Sequence, residues 1–364
     1  MRVIISGGGT GGHVYPAIAI ANALKKKLPN VEILFVGANG KLEMEKVPRA
    51  GYKIEGLDVV GFHRKKLWRN IGFPWKLYKS LRRAKKIIDN FGPDIVVGVG
   101  GYASGPVLKQ AQRKNIPTVI QEQNSYPGIT NKLLGKHASL ICVAYDHMER
   151  FFPKDKIVIT GNPVRTDLVV AEEKISTAYT YFNLDSNEQT TLIFGGSLGA
   201  RSLNNAVHNS FDFLKKNADT QFIWQVGSLY YEEFVETQTA QLSNVQVKAF
   251  IDRMDYAYAV ADTVVCRAGA LTISELALVA KPAILIPSPN VSEDHQTKNA
   301  QALEKIDAAV LVRDDEIHKW ESELKDLLTD KEKRKRLSKN IKKYSKPDAA
   351  EQIADMVYNL VHNE

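Results

Sequence analysis

The residues of this sequence best suited to chemistry begin in its first loop, where five of the six residues from Gly7 to Gly12 are glycine and His13 follows. An apolar segment precedes this loop and a helical pattern follows it, so the loop connects a strand to a helix. Such a loop presents backbone N–H groups to an anion, and without Cβ atoms a phosphate or sugar can approach closely. A similar loop, GGSLGA at Gly195–Ala200, opens the second half. We therefore predict two anion sites; glycine turns that bind nothing are the alternative.

The sequences around these loops narrow the choice of anion. Neither loop has the Lys-Ser/Thr pair of a P-loop. A dinucleotide-binding fold ends its second strand with an acidic residue, but here that strand ends in Gly37, Ala38 and Asn39, which disfavours NAD. Glu275 lies about one turn into a helix predicted to start near Ala270, where its carboxylate can accept from two ribose hydroxyls. A glutamate that only stabilises its own helix is the alternative.

The elements that must position these loops follow from the hydrophobic pattern of the 364 residues. Short apolar segments between amphipathic helices are typical of parallel strands covered on both faces, and the pattern occurs twice. We predict an α/β protein with two doubly wound, Rossmann-like domains, 1–163 and 164–345, and an interdomain cleft. A final helix at about 346–364 is expected to pack on the N-terminal domain. The predicted strands are RVIIS, VEILFVG, DIVVGVG, PTVIQ, SLICVAY, TTLIFGG, QFIWQVG, VQVKAF, TVVCRA, PAILIPS and AAVLVR.

Composition sets broad limits on the class of protein. A hydrophobic content of 44% and a charged content of 25% are ordinary for a globular chain. Cys142 and Cys266 each lie in an apolar segment, which predicts two buried, reduced thiols rather than a disulfide or metal site. We find no export signal and no stretch near the roughly 18 apolar residues of a membrane span. The net charge of +8 suits nucleic acid, a membrane surface or an anionic substrate.

The positive charge is concentrated between Phe62 and Lys86, where ten Lys or Arg residues and no acidic residue occur. Aromatic and apolar residues are interleaved with them, a combination that suits anionic lipid headgroups with aromatic anchors at the interface. A solvated helix face and nucleic-acid binding are the alternatives. The residues expected to contact a membrane are Trp68, Ile71, Phe73, Trp75, Lys76 and Lys79.

Six motifs occur together and in order: GGTGGH (Gly8–His13), GYASGP (Gly101–Pro106), EQNSYPGITNK (Glu122–Lys132), GNPVR (Gly161–Arg165), GGSLGA (Gly195–Ala200) and GALTISE (Gly269–Glu275). With them the chain resembles, over essentially its whole length, the MurG family, the glycosyltransferases of peptidoglycan synthesis. The sequence departs from the commonest family pattern at Gln121 and Leu198, where many members have His and Gln.

This resemblance implies a GT-B fold and an activity without metal or other cofactor. N-acetylglucosamine (GlcNAc) would pass from UDP-GlcNAc to the muramyl 4-hydroxyl of lipid I, the undecaprenyl-diphosphate-linked muramyl-pentapeptide. Inversion at the anomeric carbon would give the β-1,4 linkage of lipid II. The resemblance also implies peripheral binding to the anionic cytoplasmic face of the plasma membrane, with no nucleic acid and with cell-wall synthesis or division proteins as candidate partners. A UDP-GlcNAc 2-epimerase-like enzyme and a nucleic-acid-binding protein are the alternatives.

The resemblance also assigns site residues, motif by motif. It implies that Gly101, Tyr102 and Ser104 lie on the acceptor side of the site. Contacts from the N-terminal domain to the donor sugar would come from Thr10, Gly11, Gly12 and Asn124. In the C-terminal domain, Arg165 and Ser197 would bind the phosphates. The backbone of Ile251 would bind uracil, and Gln296 would bind the GlcNAc hydroxyls. Diphosphate and ribose would be held by Ala270, Leu271, Thr272, Ile273, Ser274 and Glu275.

An inverting transfer needs a base for the acceptor hydroxyl and stabilisation of the leaving UDP. Helix N-termini, Ser197 and Arg165 would stabilise the leaving group. His13 is the first candidate for the base, because an imidazole titrates near neutral pH; phosphate binding or loop packing is its alternative role. Glu122 is the second candidate, with a buried structural carboxylate as the alternative.

Overall fold

The computed structural model describes residues 1–59, 73–165, 168–196, 198–291 and 294–362. It divides into two compact units, Met1–Val164 with Lys346–Glu364, and Arg165–Ser345. Each unit is built on its own parallel β-sheet with a hydrophobic cluster on either face. The predicted doubly wound α/β class is therefore confirmed.

The first unit contains a seven-stranded sheet. Its strands are β1 (Arg2–Ser6), β2 (Glu32–Ala38), β3 (Lys53–Leu57), β4 (Ile95–Gly98), β5 (Thr118–Glu122), β6 (Leu140–Val143) and β7 (Ile157–Ile159). Between them lie the helices α1 (Gly11–Lys27), α2 (Glu43–Arg49), α3 (Phe73–Phe91), α4 (Ser104–Arg113) and α5 (Ile129–Gly135). The spatial order is β3-β2-β1-β4-β5-β6-β7, so the strand order reverses between β1 and β4. Ligands of such sheets bind at this switch point, beyond the carboxyl ends of the strands.

The second unit contains a six-stranded sheet. Its strands are β8 (Gln189–Phe194), β9 (Thr220–Gln225), β10 (Val245–Lys248), β11 (Thr263–Cys266), β12 (Ala283–Leu285) and β13 (Val310–Leu311). Its helices are α6 (Ile175–Phe182), α7 (Arg201–Asn209), α8 (Phe211–Lys216), α9 (Tyr231–Phe234), α10 (Met254–Val260), α11 (Ala270–Val279), α12 (His295–Glu304), α13 (Trp320–Thr329) and α14 (Lys331–Lys342). The order β10-β9-β8-β11-β12-β13 places the switch point between β8 and β11.

The last helix, α15 (Ala349–His362), returns to the first unit. Ile353 and Val357 are fully buried there in the cluster that also holds Leu24 of α1 and Ile5 of β1. The alternation within β1 explains why two helical layers are needed, because Ile4 points into the opposite cluster with Leu108 of α4.

Each of the eleven predicted strands is present, but β3 and β7 were not predicted from the sequence. Both lie at the edges of the first sheet and are only partly buried. They therefore lack the continuous apolar segment that marks a strand covered on both faces. Cys142 and Cys266 are free and buried in β6 and β11, as predicted. Burial raises the pKa of the Cys142 thiol to about 12, which makes it unreactive.

Replacing Ile353 by alanine tests the contribution of α15 to the first unit. The lost methyl and methylene groups and the cavity left behind should lower the free energy of unfolding by about 2–5 kcal/mol. Gln352→Ala, one residue earlier on the exposed side of the same helix, is the matched control and should change it by less than about 0.5 kcal/mol. Equal effects of the two substitutions in urea unfolding would contradict this packing.

Candidate functional site

The first glycine loop follows β1 at the switch point of the first sheet, and Glu43 determines its shape. Glu43 is buried on α2; one carboxylate oxygen accepts from the Gly9 N–H and the other from the Ala38 N–H, both at 2.8 Å. A Cβ on Gly8, whose φ is +147°, would lie 2.1 Å from that carboxyl group. Glu43 was not predicted, because no motif surrounds it and Gly9 is 34 residues away in the chain.

A second glycine loop follows the neighbouring strand β4, and it contacts the first. Gly100 and Gly101 have φ values of +94° and +85°, and a Cβ on Gly101 would lie 2.3 Å from the Gly8 carbonyl oxygen. Ser104 begins α4, and its hydroxyl donates to the Gly101 carbonyl at 3.0 Å. Tyr102 is exposed between them. The glycine loops that follow β1 and β4 therefore meet backbone to backbone.

His13 lies where these two loops come together. Thr10 precedes α1 in an extended conformation, so Gly11, Gly12 and His13 form the first turn of the helix. The His13 Nδ1 atom is 3.3 Å from the Thr10 hydroxyl oxygen. A Cβ on Gly100 would lie 2.8 Å from the His13 Nε2 atom, so the imidazole lies directly against that glycine.

Glu122, at the end of β5, is buried within its own loop. One carboxylate oxygen accepts from the backbone and side-chain amides of Asn124 at 3.0 and 3.2 Å. The other accepts from Asn131 at 2.8 Å and from the Gly128 N–H at 3.2 Å. Burial raises the pKa of this carboxyl, and the four hydrogen bonds partly offset the rise. The geometry is that of a carboxylate that organises the EQNSYPGITNK loop.

The two departures from the family pattern occupy different environments. Gln121 is fully buried, and its side-chain amide donates to the Asn162 Oδ1 atom at 3.1 Å. Asn162 in turn donates to the Gln123 backbone, so this side chain ties β5 to the GNPVR segment. Leu198 is 67% exposed.

The GGSLGA loop follows β8, at the switch point of the second sheet. It borders a cavity of about 530 Å³ that is also lined by Gln296 at the start of α12. The Gln296 side chain accepts from the Ser288 N–H at 2.8 Å, which fixes its orientation. At another wall of the cavity, Arg267 donates to Asp314 at 2.6 Å. Ser197 lies outside the described residues.

Gln225, at the end of β9, joins two predicted parts of the nucleotide site. Its side-chain oxygen accepts from the Ile251 N–H at 2.8 Å, and its amide donates to the Gly196 carbonyl at 3.1 Å. The backbone of Ile251 is predicted to contact uracil, and its N–H is bonded within the chain here. Gln225 was not predicted as a site residue, because the apolar segment QFIWQVG indicated only a strand. Arg165, the first residue of this unit, is exposed.

The GALTISE segment follows β11, on the other side of the switch point, and forms the start of α11. Ala270 and Ile273 bury their side chains, and the Ile273 N–H donates to the Gly269 carbonyl at 3.0 Å. Leu271, Thr272 and Ser274 are partly buried, and the Ser274 hydroxyl donates to the Ala270 carbonyl at 3.0 Å. Glu275 accepts a hydrogen bond from the Tyr258 hydroxyl at 3.0 Å.

The predicted membrane residues fall partly within α3. Trp75 is 62% exposed, Lys76 and Lys79 are exposed, and the Lys79 ammonium lies 5.4 Å from the centre of the Trp75 ring. Trp68, Ile71 and the side chain of Phe73 lie outside the described residues. Within the described ranges, no helix has the length and apolar character needed to cross a bilayer.

Replacing Gln225 by methionine keeps the length of the side chain but removes both hydrogen bonds. Because the Ile251 N–H is buried, losing its acceptor should lower the free energy of unfolding of the second unit by about 1–3 kcal/mol. Gln241→Met, at an exposed position of the same unit, is the control and should have little effect. A stability loss no greater than the control's would show that this bridge is dispensable.

Comparisons with known proteins identify the same family for the N-terminal and the C-terminal part of the chain. Residues 3–143 match the glycosyltransferase family 28 N-terminal domain, and residues 190–353 match the glycosyltransferase family 28 C-terminal domain. Two relatives are named UDP-N-acetylglucosamine--N-acetylmuramyl-(pentapeptide) pyrophosphoryl-undecaprenol N-acetylglucosamine transferase. The protein from Flavobacterium psychrophilum is 53% identical, over 100% of this chain and 98% of the relative. That from Bacteroides thetaiotaomicron is 52% identical, over 100% and 99%.

Solved structures give the same result. The crystal structure of Acinetobacter baumannii MurG is 28% identical with a TM-score of 0.78, over 98% of this chain and 99% of that one. A UDP-GlcNAc 2-epimerase from Neisseria meningitidis, bound to UDP-GlcNAc, has a TM-score of 0.71 over 99% and 100% of the two chains. At 15% identity that likeness concerns the fold alone. The chain therefore has the GT-B fold and belongs to glycosyltransferase family 28, within the MurG family of N-acetylglucosamine transferases.

Proposed function

We propose that this protein transfers GlcNAc from UDP-GlcNAc to the muramyl 4-hydroxyl of lipid I, forming lipid II. The observation that carries the proposal is the 53% identity, over the whole chain, to a relative named for this transfer. The switch-point glycine loops support it, since a diphosphate is needed in both the donor and the acceptor. Family membership disfavours the epimerase-like and nucleic-acid-binding alternatives.

The donor diphosphate is assigned to the second unit. The amides that begin α7 and α11, after β8 and β11, provide the positive ends of two helices at one switch point. Arg165 and Ser197 donate hydrogen bonds to the phosphates, and the backbone of Ile251 contacts uracil. Glu275 accepts hydrogen bonds from the ribose hydroxyls. Gln296, which the Ser288 N–H already orients, binds the GlcNAc hydroxyls. Together they stabilise the charge that develops on departing UDP.

The acceptor is assigned to the first unit, where Gly101, Tyr102 and Ser104 border the first glycine loop. His13 is the proposed base, since its imidazole lies at the meeting of the two loops. It takes the proton of the 4-hydroxyl as that oxygen attacks the anomeric carbon of GlcNAc. The bond from that carbon to the diphosphate breaks, and UDP leaves with the electron pair. Glu122, which accepts from four donors, supports the EQNSYPGITNK loop rather than the proton transfer.

A membrane-docking surface on the first unit is proposed from α3 and α5. Both helices contribute to the hydrophobic cluster on one face of the sheet, and α4 packs between them. Trp75 and Tyr78 on α3 are exposed, and Leu133 on α5 is 69% exposed, although the sequence analysis did not single it out. Lysines flank these side chains, as expected for an interface with anionic headgroups. We place the working enzyme at the cytoplasmic face of the plasma membrane.

The proposed activity is tested by UDP release from UDP-GlcNAc with and without a short-chain lipid I analogue. The wild-type protein should release UDP only with the acceptor. His13→Ala should lower kcat by roughly 10²- to 10⁴-fold with donor binding intact, because it removes the base. His147→Ala, at an exposed position of the same unit, is the control.

Other results of this assay would contradict parts of the proposal. A His13→Ala effect confined to the KM for the acceptor would make His13 a binding residue. Release of UDP without acceptor would indicate epimerase or hydrolase chemistry. A folded protein that releases no UDP under either condition would overturn the proposed transfer.

Membrane docking is tested by flotation with phosphatidylglycerol vesicles. A triple variant, Trp75→Ala with Lys76→Gln and Lys79→Gln, should bind at least roughly 30-fold more weakly, since each lysine contributes about 1 kcal/mol near an anionic surface. Tyr344→Ala with Lys331→Gln and Lys335→Gln makes the same change of charge at exposed positions of the second unit. Equal binding by the two triple variants would exclude α3 as the docking element.

A further inference from the structure

Tyr258, on α10, is a polar side chain of a hydrophobic cluster that contacts Glu275, the residue assigned to ribose. It is fully buried among apolar residues of the second unit, and its ring meets Phe194 edge to face with centroids 6.2 Å apart. Its hydroxyl donates to the Glu275 Oε2 atom at 3.0 Å. A phenylalanine would fill the same apolar space, so the hydroxyl has a role other than packing.

The Tyr258 hydroxyl is a permanent donor. Burial, followed by the nearby charge of Glu275, raises its pKa well above the ordinary range of a tyrosine. The phenol therefore keeps its proton at any pH at which the enzyme works, and the proton points to the carboxylate. A buried hydroxyl without an acceptor would be unfavourable, so the pairing also constrains Tyr258 itself.

The bond from Tyr258 restricts the Glu275 side chain at its place on α11. Its neighbours Ile273 and Leu276 are buried and fix the helix against the core, but Glu275 itself is only partly buried. A glutamate has three side-chain torsions, and the last is broad, so a partly buried carboxylate samples many orientations unless it is held. A carboxylate offers about four acceptor positions, and the Tyr258 hydroxyl takes one of them.

We propose that Tyr258 is a positioning residue that holds the Glu275 carboxylate in the orientation that recognises the ribose hydroxyls of the nucleotide donor. The inference rests on the proposed function, which assigns Glu275 to ribose. It adds that nucleotide selectivity depends on a buried residue that touches no ligand. Tyr258 acts only through Glu275, so its loss affects recognition of the sugar hydroxyls and leaves recognition of uracil and diphosphate intact.

The test compares the affinities of UDP and 2′,3′-dideoxy-UDP, which lacks both ribose hydroxyls, by calorimetry. The wild-type protein should prefer UDP by roughly 10- to 100-fold, the range for hydrogen bonds to a charged acceptor. Tyr258→Phe should lose most of this preference, through weaker binding of UDP, with the affinity for the dideoxy compound nearly unchanged. In turnover it should raise the KM for UDP-GlcNAc and leave kcat within about twofold. Tyr179→Phe, a tyrosine packed against the same core, is the control and should keep the preference.

Two results would overturn this inference and leave the assignment of Glu275 to ribose intact. Tyr258→Phe could keep the wild-type preference while Glu275→Gln loses it, in which case Glu275 needs no positioning. Tyr258→Phe could instead weaken both nucleotides equally, which is the signature of a purely structural role. Retention of the full preference by Glu275→Gln would overturn both the inference and the assignment of Glu275 to ribose. Acceptor-dependent UDP release by the wild-type protein would still stand in that case, so the two failures are distinguishable.

Discussion

Close approach of backbone to backbone is the constraint on which both halves of this protein depend. In the first unit, a Cβ on Gly101 would lie 2.3 Å from the Gly8 carbonyl oxygen. In the second, a Cβ on Gly199 would lie 2.0 Å from the Val226 carbonyl oxygen. At each place two loops that follow neighbouring strands touch without side chains between them. In the first unit these strands are β1 and β4, which flank the switch point, and in the second they are β8 and β9, on one side of it. The amides of such glycine loops can face an anion, which a bulkier loop would hold away from the sheet.

Buried polar side chains keep these glycine loops in shape, because glycine itself restricts the backbone very little. Glu43 holds the first loop through the Gly9 N–H, and Gln225 holds the GGSLGA loop through the Gly196 carbonyl. Each of the two also binds a second backbone group in another segment, Ala38 and Ile251 respectively. These two side chains therefore set the distance between the segments that they join.

The sequence was sufficient for the parts of the fold that depend on continuous apolar segments. Strands covered on both faces, such as β1 and β8, are read directly from residues such as Ile4 and Ile193, which are fully buried. The edge strands β3 and β7 were not predicted, because their partly exposed residues interrupt the continuous apolar segment that marks a strand. Glu43, Gln225 and Tyr258 were not predicted for a different reason. Each makes a hydrogen bond to a residue far away in the sequence, at separations of 34, 26 and 17 residues. A single sequence with no motif around these residues contains no trace of such contacts.

The central claim is that each unit binds one diphosphate at its own switch point. Amide hydrogen exchange, followed peptide by peptide, tests it most directly. UDP should slow exchange in residues 195–200 and 269–275 and leave residues 7–13 and 100–104 unchanged, whereas a short-chain lipid I analogue should do the reverse. Protection of residues 7–13 by UDP, with none at 195–200 or 269–275, would contradict the account.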